Sequence, residues 1–598
     1  MKTLLLSLLP YFNKYKLLLL GGIIFLVISN WFSIYPAQIV RHAFDLVEHL
    51  IKIKQLINGF TVEEQITSLV KKVLLLFGLL VLLMAFLRGV FLFFVRQTII
   101  VMSRKIEYNQ KNELFEKYQT YSQSTLLKYS TGDLMARISE DISNVRMFTG
   151  PGIMYSLNTL TLFLMVLFTM IVVNVELTLY TLAPLPLLAF LIYWVHSIII
   201  KRSEAVQAQL AILNSWVQEV FSGVRLIKAY AREEAIKDRF IASSQEFRKL
   251  SLSLVQVDAL FHPLIALLIG LSTVFTVWIG GEKVIAGTLT IGTIAEFIVY
   301  LNLLVWPVAA LGWVTSLIQR AAASQQRVNE VLAQEPEIIF PRTGPKLTDC
   351  SIRFENVSLY YPQTGIKALE AISFTIPQGQ FLAIVGATGS GKTSLVSLLP
   401  RLWDPTEGII YLGDYPLNAY AQLELRSAIA YVPQDSFLFS DTIRANIAFG
   451  KENATEQEII KAAQFAGIYE DILGFPQQFE TVVGERGVTL SGGQKQRISL
   501  ARAYLVKKPI LILDDALSAI DSQTQEYILQ NLRTMCGQDG YHPTLIVVTH
   551  RLNVVQGADC IIVLQRGKIV ERGKHQELLA RRNFYYQLYE QQQIEAEL

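Results

Sequence analysis

Eight consecutive residues, Gly386-Ala387-Thr388-Gly389-Ser390-Gly391-Lys392-Thr393, carry the clearest chemistry in the sequence. They follow the strand-like run Phe381-Leu382-Ala383-Ile384-Val385 and precede a helical pattern, the context in which a glycine-rich loop closes around phosphates. The glycines let backbone N–H groups turn inward, the helix N-terminus adds positive potential, Lys392 reaches terminal phosphates and Thr393 offers a hydroxyl to Mg2+. Farther along, Ile510-Leu511-Ile512-Leu513 reads as a buried strand ending in Asp514-Asp515, which sets two carboxylates at a sheet edge where nucleotide sites form. Asp514 fits the carboxylate that holds Mg2+. A second anion site is visible at Leu490-Ser491-Gly492-Gly493-Gln494, where Ser491 and Gln494 form a capping box and two glycines leave the amides of the following helix open to a phosphate. One chain then offers two phosphate-binding edges, usable together if two chains meet head to tail across shared ATP.

These groups need a rigid frame. From residue 351 onward, short β-branched runs alternate with helical patterns, which predicts an α/β domain with a parallel sheet flanked by helices over 351–598. A turn-rich stretch with Gln334-Glu335-Pro336, Pro341 and Gly344-Pro345 marks a linker, placed at 321–350. The first 320 residues differ in kind. Six runs reach the roughly 20 apolar residues needed to cross a hydrocarbon core: 17–40, 73–95, 153–173, 177–200, 261–279 and 291–317. An even count puts both termini on the side that holds ATP, and the basic residues of 99–146 and 201–260 agree; only Lys52 and Lys54 in the loop after the first span dilute that bias. The chain is therefore expected in the cell membrane, multi-pass, with its N-terminus, C-terminus and ATPase domain cytoplasmic.

The two inward-facing connections lack proline and keep helical spacing, so each predicts a helical hairpin projecting about 35 Å from the membrane, its tip within reach of the soluble domain. The reversals are expected near Ser130-Thr131-Gly132-Asp133 and Ser222-Gly223. The segment from Thr3 to Leu9 predicts a short interfacial helix rather than a cleaved signal, because Pro10, Lys14 and Lys16 interrupt it and no small-residue cleavage site follows.

Composition excludes other classes. Of 598 residues, 52% are hydrophobic and only 17% charged, against roughly 25% charged in ordinary soluble domains, and the mean hydropathy is +0.37, which argues against a soluble globular protein and a disordered one. A net charge of +3 without a Lys/Arg block argues against a nucleic-acid partner. The three cysteines, Cys350, Cys536 and Cys560, all lie in the soluble part without metal-like spacing, as befits reduced thiols in a cytosol.

With these motifs in order, the chain resembles a half-transporter of the ATP-binding cassette exporter family over essentially its whole length. The resemblance implies that Tyr361, before Pro362, stacks on adenine, that Gln434 in Tyr431-Val432-Pro433-Gln434 links Mg2+ to the membrane domain, and that His550 in Val548-Thr549-His550-Arg551 is a switch histidine. It also makes Ser518-Ala519-Ile520-Asp521 a dimer-contacting loop, Thr481-Val482-Val483-Gly484-Glu485-Arg486-Gly487 a segment that contacts the cytoplasmic hairpins, and Thr131-Gly132-Asp133 a first-hairpin motif. Singly, Tyr361 reads as a core aromatic, Gln434 as a loop residue and His550 as a strand-end histidine; their order around a complete phosphate loop favours function.

One departure matters most. The family's hydrolytic position after the Mg2+ aspartate is normally Glu, and here it is Asp515. A carboxylate withdrawn by about 1.3 Å costs on the order of a hundredfold in rate. The chain is thus similar to the degenerate-site subunit of heterodimeric bacterial exporters, with a weak site of its own and an intact Ser491–Gln494 edge for a partner that supplies Glu. A homodimer that tolerates Asp stays open. The implied activity is ATP-driven export of amphipathic drugs or lipids through the bilayer, with ATP and Mg2+ as cofactors; a nonpumping ATP-gated channel or regulatory subunit and an importer are the competing readings. No cysteine occurs before Cys350, which excludes exporters that cleave leader peptides with an N-terminal cysteine protease. Charged residues within the spans are the only clues to cargo: Arg96 and His196 near interfaces, where they snorkel, and Arg88 and Glu296 deeper, where an ionisable group faces a partner or a wet cavity.

Overall fold

Backbone amides cannot stay unpaired in hydrocarbon, so the apolar runs fold as helices. The computed structural model describes residues 2–56, 63–362, 364–484, 490–535 and 542–597. It divides into two units, residues 1–119 with 131–334, and residues 120–130 with 335–598.

In the first unit, α1 (Lys2–Lys14) extends the expected interfacial helix through Pro10, and α2 (Lys16–Leu56) and α3 (Glu63–Val95) follow. A π-helical turn at Arg96–Ile100 leads into α4 (Val101–Gln119), with the Thr98 hydroxyl donating to the carbonyls of Phe94 and Val95 at 2.8 and 2.9 Å. After α5 (Gln123–Lys128), which belongs to the other unit, come α6 (Thr131–Ala136), α7 (Ile142–Met147), α8 (Ile153–Val173), α9 (Val175–Leu182), α10 (Leu185–Ser222), α11 (Val224–Ala229), α12 (Glu233–Ile285) and α13 (Ile291–Ala333). Among the described residues, five helical stretches are long and apolar enough to cross a membrane: Lys16–Ile53, Thr67–Gln119, Thr131–Val173, Glu233–Ile285 and Ile291–Ala333.

Three expectations need correction. The stretch 177–200 is not one continuous helix, because α9 ends at Leu182 and α10 begins at Leu185. Pro184 between them has no N–H to continue α9, while its φ of −73° suits the start of the next helix. The linker expected from 321 begins only after Ala333, since α13 keeps its helical register that far. The first reversal also shifts. The chain leaves α4 at Thr120–Ser122, Ser122 caps α5 by accepting from Thr125 N, and a second break follows at Tyr129-Ser130. Asp133 does not turn the chain; its carboxylate accepts from Arg137 Nε at 2.9 Å, one helical turn on, and so supports α6. At the second reversal Gly223 ends α10, as its glycine predicts, and the chain breaks again at residues 230–232 before α12.

The second unit contains β1 (Ile352–Tyr360), β2 (Lys367–Ile376), β3 (Phe381–Val385), α14 (Lys392–Ser397), β4 (Glu407–Leu412), β5 (Tyr415–Pro416), α15 (Gln422–Ser427), β6 (Ile429–Val432), α16 (Ile443–Ala448), α17 (Glu456–Phe465), α18 (Tyr469–Leu473), α19 (Gly492–Leu505), β7 (Ile510–Asp514), α20 (Ser522–Met535), β8 (Thr544–Val548), β9 (Cys560–Gln565), β10 (Lys568–Gly573), α21 (His575–Arg581) and α22 (Phe584–Glu597). The larger sheet runs β10-β9-β3-β8-β7-β6 and is parallel except at β10. β7 is buried throughout: Leu511 and Leu513 join a core with Val385, Ile498 and Leu529, while Ile510 and Ile512 join another with Phe354, Ile384 and Leu395. Period-two alternation splits one strand between the two cores. A separate antiparallel sheet, β2-β1-β4-β5, was not foreseen from sequence. Within the same unit, Glu337 ties the α5 segment to the chain beyond α13, accepting from Lys128 Nζ at 2.6 Å and from Ser122 Oγ at 2.9 Å.

Candidate nucleotide site

β3 delivers the chain to Gly386, and α14 starts at Lys392, so residues 386–391 form the loop between a central strand and a helix. Gly386 and Gly391 have φ of 155° and 101°, and a Cβ at either would sit 2.2 Å from the Leu564 carbonyl oxygen or 2.5 Å from that of Ala368. No side chain fits there. Ser390 is buried, and its Oγ has no hydrogen-bond partner. Lys392 Nζ donates to the Gly386 and Ala387 carbonyls at 2.8 and 2.9 Å, which curls the ammonium over the loop. Burial pushes its pKa down, opposed by the charges of Asp515 and Asp514.

The loop meets the end of β7 through Thr393, whose hydroxyl donates to Asp514 Oδ1 at 3.1 Å. The other carboxylate oxygen of Asp514 accepts from the Tyr431 hydroxyl on β6, also at 3.1 Å. Asp514 is fully buried, and that burial raises its pKa against the lowering effect of these two bonds. Tyr431 was not singled out in the sequence, yet burial and the neighbouring Asp514 charge hold its phenol well above the ordinary range. A hydroxyl and a carboxylate from adjacent elements, with an orphaned buried hydroxyl in the loop, form a hard-oxygen donor set that fits Mg2+ and phosphate.

Asp515 adopts a left-handed φ of 50° immediately after the strand, its N–H bonded to the Val548 carbonyl at 2.9 Å. Oδ1 of this residue lies 3.0 Å from His550 Nδ1, so the carboxylate expected at the hydrolytic position and the expected switch histidine meet within one chain. Tyr361 is half-buried beside α14: its hydroxyl is 2.8 Å from Ser394 Oγ, and its ring meets Trp403 edge-on at 4.9 Å. Gln434 is exposed, two residues beyond β6.

The second edge has the expected capping box, with Gln494 N donating to Ser491 Oγ at 3.2 Å and Ser491 N to Gln494 Oε1 at 3.0 Å. Gly493 is obligatory there, because a Cβ would lie 2.8 Å from the Ala519 carbonyl. Hydrogen bonds at this edge run to Asp471 from Gln494 and Arg497, and through Gln496 to Ser518 and Ala519; among the described residues none reaches the phosphate loop. Asp471, Arg497 and Gln496 carried no signal that sequence spacing could reveal. Thr481 and Val483 pair with Ile443 and Asp441, whereas Glu485, Arg486 and Gly487 lie outside the described residues, as does Cys536.

In the first unit, Glu296 is 1% exposed and accepts from Tyr300 OH at 2.8 Å and Arg41 Nη1 at 3.3 Å. Of the two destinations its depth left open, it has the partner. Arg88 is exposed, and the His196 side chain lies outside the described residues.

Comparison with known proteins bears on both units. Residues 17–308 match the ABC transporter transmembrane region, and residues 369–518 match the ABC transporter model. The chain is 36% identical to the multidrug resistance-like ATP-binding protein MdlA of Escherichia coli, over 98% of this chain and 96% of that one. It is 34% identical to an ATP-dependent lipid A-core flippase of Syntrophus aciditrophicus, over 82% and 81% of the two chains. A solved bacterial Atm1-family ABC exporter with ATP bound matches with a TM-score of 0.75 and 25% identity, over 96% of this chain and 98% of that one. A chain that carries both parts and aligns end to end with such relatives belongs to the ABC transporter family, a membrane-bound member with an ATPase domain that drives transport.

Proposed function

We propose that this chain is one half of a dimeric exporter that moves amphipathic drugs or lipids across the cell membrane, with a different subunit as its partner. The observation that carries the reading is Asp515 at the hydrolytic position, bonded to His550, on a chain whose Ser491–Gln494 edge is intact. The short carboxylate makes the chain's own loop a slow site, while the intact edge completes a fast site on a subunit that supplies Glu. The relatives named for multidrug resistance and lipid A-core flipping support an amphipathic cargo. The membrane domain runs in outline to the end of α13 at Ala333, with six spans, and the ATPase domain and both termini are cytoplasmic.

Thr393 and Asp514 would hold Mg2+, which when bound neutralises phosphate charge. Lys392 and the amides of 386–391 bind the phosphates, Tyr361 takes the base, Gln434 reports occupancy toward the membrane domain, and His550 and Asp515 orient the attacking water. The homodimer reading has one observation in its favour, that a single chain carries both edges.

Transport into inverted vesicles tests the proposal. Co-expression with a Glu-bearing subunit is expected to give ATP-driven accumulation of a fluorescent amphipath well above the sum of either chain alone, abolished by Lys392→Ala. Vigorous transport by the chain alone supports the homodimer; dissipation of a preset gradient marks a channel, and movement the other way an importer.

A further inference from the structure

His550 stands just past the end of β8, and its side chain is 51% exposed, so packing does not hold it. Its ring contact is the 3.0 Å bond to Asp515. The backbone around it is held from a distant element. Gln592 on α22 donates through Nε2 to the His550 carbonyl and accepts through Oε1 from Leu552 N at 2.9 Å. One primary amide thus occupies the acceptor and donor that flank Arg551, much as a neighbouring strand would, at a point where the ladder of β8 has ended. Arg551 in turn donates to the Ser518 carbonyl at 2.8 Å, the Ile520 carbonyl at 3.3 Å and Gln525 Oε1 at 2.7 Å. The turn that presents His550 is pinned on one side to the 518–521 loop and on the other to α22.

α22 does not depend on that amide for its own place. Tyr585 is fully buried at its start, with its N–H on Glu571 Oε1 at 2.9 Å and its hydroxyl 2.7 Å from His575 Nδ1. Leu588 and Tyr589 pack against the core as well. Gln592 therefore has work other than anchoring the helix.

We infer that Gln592 is a positioning residue for His550: the C-terminal helix, through this amide, fixes the backbone of the switch turn so that the imidazole stays on Asp515. The inference rests on the reading of His550 as a switch, but its geometric claim stands apart from transport.

The test is magic-angle-spinning NMR of full-length, histidine-labelled protein in liposomes, where His550→Ala identifies its signal among the seven histidines. Gln592→Ala is expected to shift the Nδ1 resonance of His550 in the direction that Asp515→Asn shifts it, with the other histidines unmoved. Gln592→Glu keeps the shape and the acceptor for Leu552 but lacks the donor to His550; it is expected to give a smaller shift in the same direction and guards against a folding defect in the alanine variant. An unmoved His550 resonance in both variants, whatever their thermal midpoints, overturns the inference. If the resonance shifts but His550→Ala leaves transport intact, the positioning holds and the switch reading fails.

Discussion

Glu296→Gln is expected to weaken the helix bundle where α13 begins beside α2, rather than alter cargo choice. The carboxylate sits near the start of α13 and is paired with Arg41 on α2, 3.3 Å away, and with Tyr300 one turn on. The two helices meet almost backbone to backbone there: a Cβ at Gly292 would lie 2.2 Å from the Arg41 carbonyl, and Gly292 N donates to Asp45 Oδ1 at 3.0 Å. Two unit charges at that distance attract by about 5 kcal/mol at an effective dielectric of roughly 20. Breaking a fully buried pair typically costs about 3 to 5 kcal/mol, but Arg41 is 32% exposed and regains solvent when released. Glutamine also retains an oxygen for Tyr300. The net loss is therefore on the order of 1 to 3 kcal/mol, a fall of about 1 to 3 °C in the unfolding midpoint of a chain this size. Thermal unfolding in nanodiscs measures it, with Arg41→Gln and the double variant completing a cycle whose coupling is expected to be at least about 1 kcal/mol. Zero coupling at an unchanged midpoint, with selective loss of cationic cargo, would refute the structural assignment and return Glu296 to the transport path.

Asp515→Glu is expected to raise ATP hydrolysis at this chain's loop by on the order of a hundredfold, read as phosphate release at saturating ATP; no increase speaks for a homodimer already tuned to Asp. Tyr431→Phe removes one oxygen from the Asp514 carboxylate's surroundings and is expected to raise the Mg2+ concentration needed for tight nucleotide binding by about tenfold, with nucleotide binding in chelator unchanged, as isothermal titration would report. Burial lowers the Lys392 pKa in the folded protein, so the folded state holds fewer protons there than the unfolded one. Stability of the nucleotide-free protein accordingly rises with pH between the folded and unfolded values, whereas affinity for ATP, which needs the ammonium, is complete below the folded value and falls above it. Equilibrium binding across an alkaline series is expected to show that loss in the wild type and little of it in Lys392→Arg.

What the sequence made legible was whatever a single segment encodes. The phosphate loop needs only its own eight residues between a strand and a helix, and residues 386–393 stand in that context. The capping box at Ser491 is equally local, and so is the stop at Gly223. The antiparallel sheet escaped because its strands are irregular: β1 and β2 pair with register shifts around Val357, and Asn356 and Ala371 adopt positive φ, so the alternation that marks a strand is broken where it would be read. The shifted first reversal has the same cause at smaller scale. Ser130-Thr131-Gly132-Asp133 has turn composition, but the Asp133–Arg137 pair spends it on a helix, while the hydroxyl of Ser122 starts α5 unannounced.

Partners are a different matter, since spacing along the chain says nothing about which groups a fold brings together. The depth of Glu296 in an apolar run demanded a companion, yet Arg41 lies 255 residues away, in a stretch whose own pattern speaks only of a helix end. Tyr431 looked like one more residue of a buried strand until the parallel pairing of β6 with β7 set its hydroxyl on Asp514. Gln592 is the extreme case. Nothing in a polar helical tail of glutamines distinguishes it from its neighbours, and its role depends on α22 being docked by Tyr585 so that one amide of several meets the turn after β8. A motif names the groups that do chemistry because their geometry is local, whereas the groups that hold them steady are selected by topology and become visible only once the strands are in register.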